Sequence, residues 1–336
     1  MATPAILQPN QPLPDSPQAP PLAPPRPPKP QRLWVQAVLF VVTAFTTTAV
    51  GMRYMVNFQQ GMFPLASDAD IFPYEWAFAN LRHLALGLPF SLTLLGILLT
   101  HEFGHYFACR YYGIKATLPY LLPAPSLSGT AGAVIRLRSR VKSRSALMAI
   151  GAFGPIAGFI VATAMACVGI ALSQTVSAEP AKLVAFTPPL LLQLLFKLTA
   201  GIHPLGEHIL WHPVLVASWI GILITSLNLV PAGQLDGGHI LYAISPRTHR
   251  YLTYVTMATL VYLGIFHWIG WLLWMGLLLL PGMRHPKVPD PEPPKQSLLI
   301  LGPICLVMLI LCATPQPFSK ASVIDFITHY LHHGQH

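Results

Sequence analysis

The sequence predicts an all-α polytopic membrane protein of about six transmembrane helices, with a small β-hairpin or re-entrant segment after the second span. Three observations carry this. Hydrophobic residues make up 53% of the 336 and charged residues only 9%, where a soluble domain carries about 25% charged. Apolar runs of the length needed to cross the hydrocarbon core recur along the chain. The basic residues, which give a formal charge of +9, are scattered in loops between those runs, where they set membrane orientation rather than bind nucleic acid. The four cysteines (Cys109, Cys167, Cys305 and Cys312) form no C-x-x-C pair, which argues against a disulfide framework and against thiolate metal sites.

Taken in order, residues 1–31 are dominated by Pro, as in Pro20-Pro21-Leu22-Ala23-Pro24-Pro25. They cannot build a core and read as a solvated tether, with docking of a Pro-recognising partner as the alternative. Leu33 to Met52 is the first span. Arg26, Lys29 and Arg32 precede it and place the N-terminus in the cytoplasm. The segment to His83 carries Asp68, Asp70 and Glu75 and reads as an outside loop. Leu84 to Phe107 then returns inward.

Between Gly113 and Leu127 the prolines forbid a helix, and Ser128-Gly129-Thr130-Ala131-Gly132 leads into the β-branched Val134-Ile135. This is the expected hairpin or membrane-dipping loop. Arg136, Arg138, Arg140, Lys142 and Arg144 follow as the densest basic run of the chain, which puts this loop in the cytoplasm too. Leu147 to Leu172 is the third span, with Gly151, Gly154 and Gly158 on a small-residue face suited to close helix packing.

The Leu-rich stretch from Lys182 to Ala200 is interrupted by Pro188 and Pro189 and is expected to lie at the interface or dip in, so that the run from Pro213 to Leu229 returns inside. Tyr251 to Leu280 forms one tilted helix or two, with the following Arg284 and Lys287 favouring two. Ser297 to Ala313 is a last apolar segment. The membrane domain is therefore drawn at 32–313 and a C-terminal tail at 314–336. His203, His208 and His212 fall in a loop placed outside, and neither they nor the His-rich end of the tail is read as a metal site.

The chemistry lies at the end of the second span, in His101-Glu102-Phe103-Gly104-His105. On a helix, residues four apart share a face, so the two imidazoles meet at one point with Glu102 at its border. Two neutral imidazoles and a carboxylate are what a zinc hydrolase needs. The return span ends at Asn228-Leu229-Val230-Pro231, followed by Leu235-Asp236-Gly237-Gly238. Asp236 and Glu102 are the two acids placed at membrane depth. Asp236 is read as the third ligand of one Zn2+ per chain, with helix capping as its ordinary alternative.

With both motifs in view, the chain resembles the site-2 protease family of intramembrane zinc metalloproteases. The resemblance runs from about Leu84 to Leu241. It is closest to the subgroup of plastid members and their bacterial relatives, through the Gly129–Ile135 segment and Gly282-Met283-Arg284-His285-Pro286, and no PDZ-like insertion is visible. It implies peptide-bond hydrolysis in or beside a transmembrane helix of single-span or polytopic membrane-protein substrates. His101, His105 and Asp236 would hold zinc and Glu102 would act as base. Asn228, Gly129 and Gly132 would be substrate contacts, with the 113–138 segment holding the substrate extended. The location this implies is the bilayer of a bacterial cytoplasmic membrane. Two other classes stand beside it: a haem or other non-proteolytic metal-binding membrane protein, and a transporter with an intramembrane acid relay.

Overall fold

A computed structural model of the chain describes residues 33–176, 185–199, 208–279, 285–319 and 322–324. The expected tether and the His-rich end of the tail lie outside them, as does His203. The fold starts with α1 (Leu33–Gln59), whose first half turns Trp34, Val38 and Val41 outward while Thr43, Thr47 and Thr48 are buried. Each buried hydroxyl donates to the carbonyl four residues back, at 2.7, 2.8 and 2.6 Å, so an apolar surrounding costs these threonines no hydrogen bond. Thr47 Oγ1 also meets Ser91 Oγ at 2.7 Å, which ties α1 to the span that follows.

The loop after α1 is held by an ion pair between Arg53 and the fully buried Asp70, and contains the short α2 (Tyr74–Ala79). α3 (Leu88–Tyr111) opens with Pro89 in its first turn, where a missing N–H costs nothing. β1 (Tyr120–Pro123) and β2 (Thr130–Val134) then form an antiparallel ribbon in the register Leu121↔Ala133. Ala116↔Leu137 continues the same pairing. The hairpin is as expected, and its prolines sit before β1, at its bulged end and in the turn.

α4 (Arg144–Leu172) begins at Ser143, whose hydroxyl accepts the Ala146 N–H at 3.2 Å. It is the central helix, packed against α3, α6 (Pro213–Asn228) and α7 (Asp236–Ile244). Between α4 and α6, β3 (Gln174–Val176) pairs with β4 (His208–Leu210). α5 (Leu190–Leu198) has nine residues, about 14 Å of rise, and cannot cross a bilayer by itself. His212 caps α6 by accepting the Val214 N–H. The stretch near 251–280 divides into α8 (Pro246–Phe266) and α9 (Gly270–Leu279), the two-helix alternative. α10 (Leu301–Cys312) is the last helix described.

Three described helical segments are long and apolar enough to cross a membrane: Leu33–Gln59, Leu81–Tyr111 and Arg144–Leu172. The count of about six is not confirmed among the described residues. The difference is one of length: α6 has 16 residues and α10 has 12, about 24 and 18 Å against a hydrocarbon core of about 30 Å. The segment after α10 also differs from expectation. Thr314 to Ser319, assigned to the tail, folds back onto the domain: Phe318 is buried against Phe186 and Trp219, and Trp271 Nε1 donates to the Pro315 carbonyl at 2.7 Å.

Candidate metal centre

Three pieces of chain converge on one point. α3 contributes His101, Glu102 and His105, which are 4%, 6% and 6% exposed. The imidazole centroids lie 4.8 Å apart, one above the other on the helix. His105 Nδ1 lies 2.7 Å from the Ile150 carbonyl of α4. A carbonyl only accepts, so Nδ1 carries the proton and Nε2 is left with its lone pair facing inward.

α7 contributes Asp236. Its Oδ2 lies 3.2 Å from His101 Nε2 and 3.3 Å from His105 Nε2. The capping alternative is not what the geometry shows, because Leu235 occupies the N-cap and no side chain caps the helix. The two glycines after Asp236 explain how it arrives. A Cβ on Gly237 would stand 2.0 Å from the Leu229 carbonyl, and one on Gly238 would stand 2.6 Å from that of Ala232. Only glycine lets the chain leaving α6 double back tightly enough to start α7 beside α3.

α4 supplies the floor. A Cβ on Gly154 would lie 2.2 Å from His105 Nε2, and one on Gly158 would lie 3.1 Å from His101 Nδ1. The small-residue face read from the sequence as a packing surface therefore seats both imidazoles.

The four polar residues line a cavity of about 230 Å3 together with Asn228, Gln234, His239, Ile150 and the strand residues Ala133 to Ile135. Asn228, the last residue of α6, places Nδ2 3.4 Å from His101 Nε2. Gly129 is elsewhere, packed on α1, where its carbonyl accepts from Thr46 Oγ1 at 2.7 Å. Gly132 sits inside β2 at φ +106°; neither glycine lines the cavity. His208 is exposed in β4 and His212 caps α6, so those two histidines do not meet in a site.

Sequence reasoning missed the Ile150 carbonyl, which carries no side-chain signal. It also missed His239, which stands three residues after Asp236, one turn along α7. His239 Nδ1 meets His285 Nε2 at 2.8 Å, and His285 Nδ1 donates to the Pro286 carbonyl at 2.7 Å. The fixed direction of the second bond makes His239 the donor in the first and turns the lone pair of its Nε2 away from His285.

Comparison with known proteins agrees with the two motifs. Residues 89–269 match Peptidase family M50. The chain is 30% identical over 258 residues to "Probable zinc metalloprotease EGY2, chloroplastic" of Arabidopsis thaliana, covering 72% of this chain and 44% of that protein. It is 29% identical over 264 residues to the protein of the same name from Oryza sativa subsp. indica, covering 74% and 47%. To "Probable zinc metalloprotease EGY1, chloroplastic" of Arabidopsis thaliana it is 34% identical over 210 residues, covering 60% and 37%. The chain thus spans less than half the length of these curated relatives. No solved structure matches it. With the match covering more than half of its residues, and both motifs and the cavity that joins them inside that match, the chain belongs to peptidase family M50, the site-2 proteases.

Proposed function

We propose that the protein is a zinc-dependent protease that hydrolyses peptide bonds of membrane-protein segments at bilayer depth, near the cytoplasmic face to which the basic loop points. The observation that carries the reading is the triangle of His101 Nε2, His105 Nε2 and Asp236 Oδ2, with separations of 3.2 and 3.3 Å from the carboxylate, beside Glu102 in the second half of a 24-residue apolar helix. Donors around a tetrahedral zinc ion at about 2.0 Å stand about 3.3 Å apart, and both separations from the Asp236 carboxylate match that spacing. The donor set of two imidazoles and one carboxylate fits the same ion, which His101, His105 and Asp236 would hold. The chemistry zinc supplies there is Lewis acidity, which polarises a peptide carbonyl and acidifies water.

The remaining work falls to the chain. Glu102, in the same cavity and not needed for the triangle, takes the proton of the attacking water and delivers it to the leaving amine. The Ile150 carbonyl keeps His105 in the tautomer that points Nε2 inward. The substrate must be unwound from helix to reach this point. β2 pairs with β1 on one side, and Ala133, Val134 and Ile135 line the cavity. An extended peptide can therefore add to the other edge, its backbone hydrogen-bonded along the strand. Asn228 would contact the peptide backbone from the far side. A bis-imidazole haem would take its axial ligands from opposite sides, whereas His101 and His105 share one face of α3; a transporter acid relay would need no such triangle.

The test is Glu102→Gln, purified in detergent and compared with the wild type for zinc per chain and for cleavage of a model single-span substrate. The expected result is full zinc content with cleavage lost. Retained cleavage overturns the role of Glu102. In Asp236→Ala the zinc content should fall, and unchanged metal would remove Asp236 from the ligand set.

A further inference from the structure

A second and larger cleft, about 1020 Å3, opens beside the cavity and shares Val134, Ile135, Leu137, Gln234 and His239 with it as a common wall. Three cations stand on this cleft: Arg136 and Arg140 from the segment leaving β2, and Lys287 from the segment after α9. All three are exposed. None is within ion-pair distance of a carboxylate among the described residues. Arg144, from the same basic run, behaves differently. Its guanidinium donates to the Ala243 and Ile244 carbonyls at 2.8 and 2.7 Å and so fastens the start of α4 to the end of α7. A positive-inside bias explains cations on one face of a membrane protein. It does not explain why two segments far apart in sequence bring theirs to the one cleft that opens from the cavity.

We infer that this cleft is a binding site for an acidic stretch of polypeptide, contiguous with the segment that lies on the edge of β2. The inference rests on the proteolytic reading above, and deepens it by naming the kind of substrate. The strand beyond β2 keeps the same pairing through Leu137, with the Thr117 N–H donating to the Arg136 carbonyl and the Arg138 N–H to that of Lys115. The edge exposed at Ala133 to Ile135 thus runs on towards the cations. The paired stretch ends at Leu137 and the backbone bends at Arg138 and Ser139, yet Arg140 still stands on the same cleft as Arg136. Aspartate or glutamate a few residues to one side of the scissile bond would meet the cations of this cleft, Arg136, Arg140 and Lys287. Lysine or arginine there would meet like charge. Transmembrane segments commonly carry basic residues on their cytoplasmic flank, so the cleft selects against ordinary spans and for the uncommon acid-flanked ones.

The test separates binding from cleavage. Glu102→Gln protein is placed in nanodiscs of zwitterionic phosphatidylcholine. Three fluorescent peptides with the same apolar core and a tail of three Glu, three Gln or three Lys are titrated by anisotropy. With each exposed charge pair contributing a two- to three-fold effect, the Glu peptide should bind about ten-fold more tightly than the Gln peptide at low salt, and the gap should close as salt rises. Introducing Arg140→Glu and Lys287→Glu together should reverse the order in favour of the Lys peptide, which a misfolded variant could not do.

Equal affinity for all three peptides overturns the inference, as does an acid preference that survives the reversal. Capture of anionic vesicles by the Glu102→Gln protein, lost in the reversed variant and without peptide preference in phosphatidylcholine, would assign the cations to lipid headgroups and also overturn it. Wild-type cleavage of the Gln-tailed peptide is followed in parallel. Cleavage without acid preference removes the cleft and keeps the protease. Acid-selective binding with no cleavage of any peptide does the opposite.

Discussion

Gly154→Ala tests the site more sharply than removal of a ligand does, because it adds one methyl group at a position with no chemistry of its own. The added Cβ would stand 2.2, 2.3 and 2.5 Å from Nε2, Cε1 and Cδ2 of His105, where ordinary contact begins at 3.4 Å. The ring must therefore retreat by about 1.2 Å, while metal ligation tolerates about 0.2 Å. The hydrogen bond from Nδ1 to the Ile150 carbonyl, 2.7 Å long, would be broken by the same movement. Loss of such an orienting bond alone costs about 10- to 100-fold in metal affinity, so the affinity should fall by at least about 100-fold. Global stability should change much less. Overpacking costs about 1–3 kcal/mol, and replacing a mid-helix Gly by Ala returns up to about 1 kcal/mol. The measurement is zinc per chain after equilibration against a graded chelator, with the thermal midpoint recorded on the same samples. Gly158→Ala, with contacts of 3.1 Å to His101, should give an intermediate loss, and Gly96→Ala in α3, with nothing within 4 Å of the added Cβ, should give none. Wild-type zinc affinity in Gly154→Ala would refute the seating argument, and so would a loss in Gly96→Ala equal to that in Gly154→Ala.

Other perturbations probe the scaffold. Burial alone would raise the pKa of Asp70, but hydrogen bonds from Arg53 and the Ser67 backbone outweigh it and hold the carboxyl below its ordinary value. A depressed carboxylate contributes stability that is complete above its unfolded pKa, near 4, and is lost as pH falls through the lower folded value. The thermal midpoint of the wild type should therefore drop below about pH 4, and Asp70→Asn should lower the midpoint at neutral pH and flatten that acid limb. Phe318→Ala empties a place between Phe186 and Trp219 and should cost about 3 kcal/mol, seen as a lower midpoint with zinc content unchanged. Ser143→Ala removes the cap of α4 and should cost about 1 kcal/mol, again without loss of metal.

The catalytic core was legible in the sequence because its signals are side chains at helical spacing. His101 and His105 are one turn apart, and Asp236 is an acid just past an apolar run, for which the sequence offered only helix capping as the alternative. The hairpin was legible for the same kind of reason: prolines excluded a helix and glycines marked the turn. What the sequence did not disclose is set by tertiary contact. Gly154 and Gly158 look like any small-residue packing face, and only the arrival of α3 reveals that imidazoles occupy the space their missing side chains leave. Phe318 lies beyond the last apolar run, in a stretch whose composition reads as tail, yet it closes the aromatic cluster around Trp219. The span count is the part composition could not settle, because α6 and α10 are apolar but have only 16 and 12 residues.

The shortness of α6 bears on the site itself. A helix of 16 residues that ends at Asn228 lets the chain turn at Pro231 and Gly233 while still inside the fold, so that α7 opens with Asp236 level with His101. Were α6 longer by a turn or more, the carboxylate would be carried past the imidazoles. The tight turn from Leu229 to Gly238, made possible by Gly237 and Gly238 packing against the Leu229 and Ala232 carbonyls, therefore sets where Asp236 meets the two imidazoles. Lengthening α6 by one turn would move Asp236 about 5.4 Å along the helix axis, well outside ligand distance, so zinc per chain should fall in such an insertion variant and an unchanged content would refute the argument.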